Sequence, residues 1–241
     1  KASCMGINCM IEPQNPFANK ELTTEERIVL RAEREANIEA EKNGGIPTKH
    51  SLIKLRKAYD DAGNDFKAAE TLEQQNEIYP NPEDYNLIGV YYHNSGNKDK
   101  AVEFFERAIE HNPNDYWPNF NLGNTLFYKD PQRARKHLNK AYELYPSEPC
   151  INILLGRLDK NEGKTVEAKE KFQIAYDKYE QRWKANSLSD TDYDWFASVA
   201  EELGKRDKAY EIRRAKPKIE KTSYYDEENL TQTILKSITK I

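Results

Sequence analysis

The segment Tyr85–Pro113 reads YNLIGVYYHNSGNKDKAVEFFERAIEHNP, and its pattern decides the fold. Apolar or small residues fall at Tyr85, Ile88, Gly89 and Tyr92, then again at Ala101, Phe105 and Ala108. Steps of three and four residues place each set on one face of a helix. Between them, Asn94-Ser95-Gly96-Asn97 is turn-forming. Pro113 ends the second helix, because its ring removes a donor and clashes with the preceding turn. The segment therefore predicts two antiparallel amphipathic helices, with Gly89, Ala101 and Ala108 small where the backbones come close.

The same pattern recurs along the chain. Gly89, Gly123 and Gly156 are spaced by 34 and 33 residues. Phe105, Leu138 and Phe172 share one second-helix position, and Ala108, Ala141 and Ala175 follow each of them by three. Pro80, Pro113 and Pro146 close successive units at a spacing of 33. Self-similarity at this period is the signature of a helical repeat array. These residues resemble the tetratricopeptide repeat family, and the Tyr85–Pro113 unit matches it at every diagnostic position.

Weaker copies flank the three clear ones. Upstream, Leu52, Leu55, Tyr59, Gly63, Ala68, Leu72 and Pro80 fit in register, with Arg56 at the small-residue position. Downstream, Tyr193, Phe196, Ala197, Ala200, Gly204 and Ala209 fit a fifth first helix, but Arg213 and Lys216 stand where its second helix should be apolar. The insertion Asn186-Ser187-Leu188-Ser189-Asp190 extends the fourth unit's second helix towards Trp183. The organisation expected is a tether at 1–20, an N-terminal helix at 21–45, an array at 49–216, and a capping helix at 217–241. The array divides into units at 49–81, 82–115, 116–148, 149–185 and 190–216. Thr23 to Glu26 forms a capping box for the first helix, which Gly44-Gly45 terminates. Leu230, Ile234, Leu235 and Ile238 give the last segment its apolar face. The resemblance implies an all-α, right-handed superhelical solenoid of about five such pairs with flanking capping helices.

Composition agrees with an elongated object. Charged residues make up 32% and mean hydropathy is -0.97, polar for a single compact core but suited to a narrow stack of helix pairs. Net charge is -4 with acidic and basic residues interspersed, which argues against a nucleic-acid partner. No apolar run reaches the 18 residues of a membrane-spanning helix.

Little in the sequence suggests catalysis. His50, His93, His111 and His137 are scattered, and no nucleophile elbow or phosphate loop is present. The expectation is no enzymatic activity, no cofactor and no metal site. Cys4 and Cys9 lie together near the N-terminus and read as a disulfide, a lipid site or an ordinary tail. Ala2-Ser3-Cys4 resembles the end of a bacterial lipoprotein signal, although Lys1 stands where an aliphatic residue is usual. Cys150 reads as a small packing residue.

Function then rests on surface. In the resembled family, the first helix of each pair lines a concave groove that holds an extended peptide or a partner helix. Carried onto this chain, the groove residues are Val90, Trp117, Phe120, Asn124, Phe127, Tyr128, Ile153, Arg157 and Lys160. Four aromatics from the third unit beside Arg157 and Lys160 suit an apolar side chain next to an acidic group. The competing reading is packing, because Asn119 stands where a large core aromatic normally sits and Trp117 or Phe120 can fill that gap; a third is a contact between molecules. The two-carboxylate clamp of chaperone adaptors is incomplete, since Ile53, Asn86 and Val90 do not match it. The expected function is an interaction scaffold for a peptide or partner subunit. The alternative is an assembly factor of the bacterial envelope; the chain is membrane-bound only if lipid-tethered, and an extracytoplasmic or periplasmic place is slightly favoured, with the cytoplasm as the alternative.

Overall fold

The computed structural model describes residues 22–217, and among them lie eleven α-helices, one 3-10 turn and no strand. Helix α1 spans Thr24–Lys42. Five antiparallel pairs follow: α2 (Lys49–Asp61) with α3 (Asp65–Ile78), α4 (Tyr85–Asn94) with α5 (Lys98–His111), and α6 (Tyr116–Leu126) with α7 (Pro131–Leu144). The last two are α8 (Pro149–Asn161) with α9 (Thr165–Lys184), and α10 (Asp190–Glu202) with α11 (Arg206–Ala215). The expected tether at 1–20 lies outside the described residues, as does all of the expected C-terminal helix but Pro217.

Local chemistry sets the helix ends. The Thr23 hydroxyl accepts from the Glu26 N–H at 3.1 Å, and Glu26 returns the bond to the Thr23 N–H at 2.8 Å. Asn64, Asn97 and Asp130 each accept from a backbone N–H three residues on, so α3, α5 and α7 start from side-chain caps. Gly63, Gly96, Gly163 and Gly204 make the turns within four of the five pairs at φ of 69°, 85°, 79° and 74°, a region open to glycine.

Within each central pair the helices meet at the small position. A Cβ on Gly89 would sit 2.6 Å from Phe105 Cε1, one on Gly123 2.7 Å from Leu138 Cγ, and one on Gly156 2.7 Å from Phe172 Cε1. Between pairs, first helices touch the next first helix (α4 with α6, α8 with α10) as well as the preceding second helix. The first helices therefore form the inner layer of a tetratricopeptide-type solenoid and the second helices the outer one.

Polar substitutions in this core are answered by partners. Asn119, buried where a core aromatic was expected, donates to the Asp115 carbonyl at 2.9 Å and lies 3.2 Å from His137 Nδ1. Asp159, buried at the position Tyr92 holds in the second unit, accepts from Arg135 at 2.8 Å and Lys171 at 2.6 Å. Burial works against this carboxylate, but the two cations outweigh it and hold its pKa below the usual range. At the fifth unit, Arg213 pairs with Glu201 and Lys216 with Asp194, each at 2.5 Å, so ion pairs replace the missing apolar contacts.

Two half-buried histidines make stability pH-dependent. Burial, aided by Lys98, depresses the pKa of His93; burial, then Lys136 and Arg133, depresses that of His137. The unfolded chain takes up protons below its ordinary value of 6.5 while the native state resists, so stability falls as pH drops through and below that value. The cost per histidine is at most about 1.4 kcal/mol per pH unit. Urea unfolding at pH 7.5, 6.0 and 5.0 should show this loss, with a shallower slope in a His93→Gln/His137→Gln variant. An unaltered slope in that variant would count against the assignment.

Candidate functional site

The inner face is a ladder of first helices whose polar side chains bond from one unit to the next. Arg56 donates to Tyr91 Oη at 3.1 Å, Asn121 to Asn86 at 3.1 Å, and His93 Nδ1 lies 2.9 Å from Thr125 Oγ1. Arg157 continues the ladder to Ser198 and to Glu202, the latter at 2.9 Å. These groups stabilise the stack and have part of their bonding capacity already used.

The expected groove residues divide into three sets. Phe127 (5% exposed), Phe120 (7%) and Ile153 (0%) are core residues, which corrects the expectation that they face an open groove. The reason differs for each: Phe127 shares a cluster with Leu138 of α7 and Leu155 and Leu158 of α8, Ile153 one with Phe196 and Ala197 of α10, and Phe120 on α6 meets Trp195 on α10 with centroids 6.4 Å apart. Helix α8, lying between them in the stack, is buried on nearly every side.

Arg157 and Lys160 are committed elsewhere. Both bind the Glu202 carboxylate at 2.9 Å, so the expected basic rim already holds an internal acid. Burial pushes Glu202 up, but Lys160 and Arg157 prevail and keep its pKa low. Val90 and Asn124 are half-buried on the inner face, with Val90 packed on the first core cluster.

Trp117 (56% exposed) and Tyr128 (84%) form the third set, open to solvent. Trp117 belongs to an aromatic cluster that sequence reasoning only partly found. Its ring meets Tyr116 edge-on at 4.9 Å; Tyr116 stacks on Phe120 at 5.8 Å and meets Tyr145 edge-on at 5.6 Å. Asp115 accepts from the Trp117 N–H at 3.0 Å and fixes the helix start, hence the ring's position. Tyr145, half-exposed like Trp117, comes from the end of α7 just before the unit-closing Pro146. That recurrent position was the available signal for it; Trp195, two units away, offered none.

The cluster has the chemistry of a contact surface: broad, rigid rings with a buried anchor and outer faces in water. Among the described residues, no group of three or more His, Cys, Asp or Glu is placed to hold a metal ion. Cys150 is buried beside Tyr116 Oη at 3.8 Å, and burial pushes its thiol up to about 12, away from the reactive thiolate. Cys4 and Cys9 lie outside the described residues. No described helix is long and apolar enough to cross a membrane.

Burial separates neighbouring side chains sharply here. Phe127→Ala should cost about 3–5 kcal/mol of unfolding free energy, and Tyr128→Ala less than about 0.5 kcal/mol. Chemical denaturation of both variants checks this, and similar costs for the two would contradict the packing described.

Comparison with known proteins agrees with the geometry. The tetratricopeptide repeat family model matches residues 82–115. A crystal structure of MamA superposes with a TM-score of 0.55 at 20% identity, covering 68% of this chain and 99% of that one. A second MamA structure gives 0.50 at 18% identity, covering 73% and 98%. MamA from residue 41 to its end, from Desulfovibrio magneticus RS-1, gives 0.51 at 17% identity, covering 69% and 91%. At these identities the likeness is one of fold. With the repeat spacing and the paired helices, residues 82–115 form a tetratricopeptide repeat and the described residues have the fold of a tetratricopeptide-type solenoid.

Proposed function

We propose that this chain is a protein-interaction scaffold whose contact surface centres on the aromatic rim of the third unit. The repeat architecture supports the scaffold role: a stack of helix pairs offers extended, rigid surface. The observation that carries the finer reading is the pair of exposed rings, Trp117 and Tyr145, held by edge contacts on the half-buried Tyr116. Rigid aromatic side chains lose little entropy on binding and dominate the energetics of protein interfaces. Phe120 and Trp195 support the cluster from beneath rather than touching a partner. Val90, Asn124 and Tyr128 extend the surface along the first helices, and the partner is a peptide or a folded subunit with an apolar side chain to set on the rim.

A Trp117→Ala/Tyr145→Ala variant should lose about thirtyfold in affinity for the partner that co-purifies with the wild-type chain, the scale of a hot-spot truncation. Its unfolding free energy should fall by no more than about 2 kcal/mol, because both rings are half in water and only their edge contacts are lost. Unchanged affinity would reject the rim as the contact surface and return attention to the rest of the inner face.

A further inference from the structure

The two ends of the solenoid differ in a way that the scaffold reading does not use. At the N-terminal end, α1 leaves a cleft of about 960 Å³ against α2 and the start of α3. Its apolar lining is Leu22, Val29, Leu30, Tyr59 and Ala62, and Ile28 and Phe66 are further exposed apolar side chains of this end. Glu25, Glu26 and Glu33 stand at the cleft with one amine, Lys67, which is itself paired with Glu70. Helix α1 carries six carboxylates against four basic residues. The end is apolar and acidic.

The opposite end has the complementary character. Residues 205–216 hold six basic side chains against two acidic ones. Three of the six form ion pairs within the chain, Lys208 with Glu211, Arg213 with Glu201 and Lys216 with Asp194. On the same helix, Tyr210 is 68% exposed and lines a shallow hollow with Glu211, Arg214 and Ala215. This end is basic with one prominent ring.

We propose that a second copy of this chain occupies the N-terminal cleft, its α11 end docking head to tail with Tyr210 in the cleft and Arg206 and Arg214 near Glu25 and Glu33. Charge complementarity selects the occupant: like ends repel or fail to match, whereas unlike ends bring carboxylates to guanidinium groups around a shared apolar centre. The two surfaces are different patches, so the contact is heterologous and repeats from copy to copy instead of closing at a dimer.

Sedimentation of the 241-residue chain from about 1 to 100 µM should show the mean mass rising past twice 28.1 kDa at low salt. Raising the salt to about 0.5 M should weaken association roughly tenfold by screening the end charges. Leu30→Glu and Tyr210→Glu change exposed side chains, one at each end, and each variant alone should stay monomeric. Mixed in equal amounts, the two should form a 1:1 dimer and nothing larger, because the first keeps a working α11 end and the second a working cleft. A wild-type chain that stays monomeric throughout overturns the proposal. Mass that stops at a dimer, with no dimer in the mixture, overturns it in favour of a symmetric contact between like ends.

Discussion

Two helices share a core only as closely as their backbones allow, and Gly89, Gly123 and Gly156 set that distance here. Each faces the large side chain of its partner helix, Phe105, Leu138 or Phe172, at a separation that leaves no room for a methyl group. Ala101, Ala134 and Ala168 lie buried where the second helices approach, and Ala108, Ala141 and Ala175 follow one turn on from the large residue. With that spacing fixed three times over, the pairs are near copies, and near copies stack into a solenoid. Cross-unit hydrogen bonds register the repeat directly: Arg56 to Tyr91 and Asn121 to Asn86 span 35 residues, and His93 to Thr125 spans 32.

Once the backbone spacing is secure, other positions are free to change chemistry. Asn119 takes a core position with His137 as its partner, and Asp159 takes another between Arg135 and Lys171. A buried carboxylate between two cations recovers from their attraction what its desolvation costs, and its loss would leave those cations unanswered. Ion pairs finish the fifth unit where apolar residues run out. The aromatic rim of the third unit rests on the same frame, since its buried rings bridge α6 and α10 and its outer rings are left to the solvent. A scaffold needs this division: a core that tolerates no drift, and a surface whose residues do not decide the fold.

Much of the fold was legible because the constraint is local and periodic. The small residues, the turn and the closing proline recur every 33 or 34 positions, and each can be read without knowing the rest of the chain. The candidate site was less legible. Phe120, Phe127 and Ile153 occupy groove-type positions, yet neighbouring units bury them, and for Phe120 the cover includes Trp195, some 75 positions further on. Arg157 and Lys160 look like ligand-binding cations until Glu202, more than forty residues on, is seen to hold both. Trp117 was legible as a groove aromatic; its neighbour Tyr145, on the other helix of the pair, had only its place before the closing Pro146 to mark it.

The central claim is that contact at the glycine position, not helix propensity, governs the pair spacing. It is tested by urea unfolding of Gly123→Ala in two backgrounds. In the wild-type background the substitution should destabilise by about 1–3 kcal/mol, because the new methyl meets Leu138, even though alanine favours a helix over glycine by about 1 kcal/mol. In a Leu138→Ala background the side-chain obstruction is gone and only the Ala134 carbonyl, 3.1 Å from the new methyl, remains, so the penalty of Gly123→Ala should fall to less than half. An equal penalty in both backgrounds, or a gain in the wild type, would contradict the account.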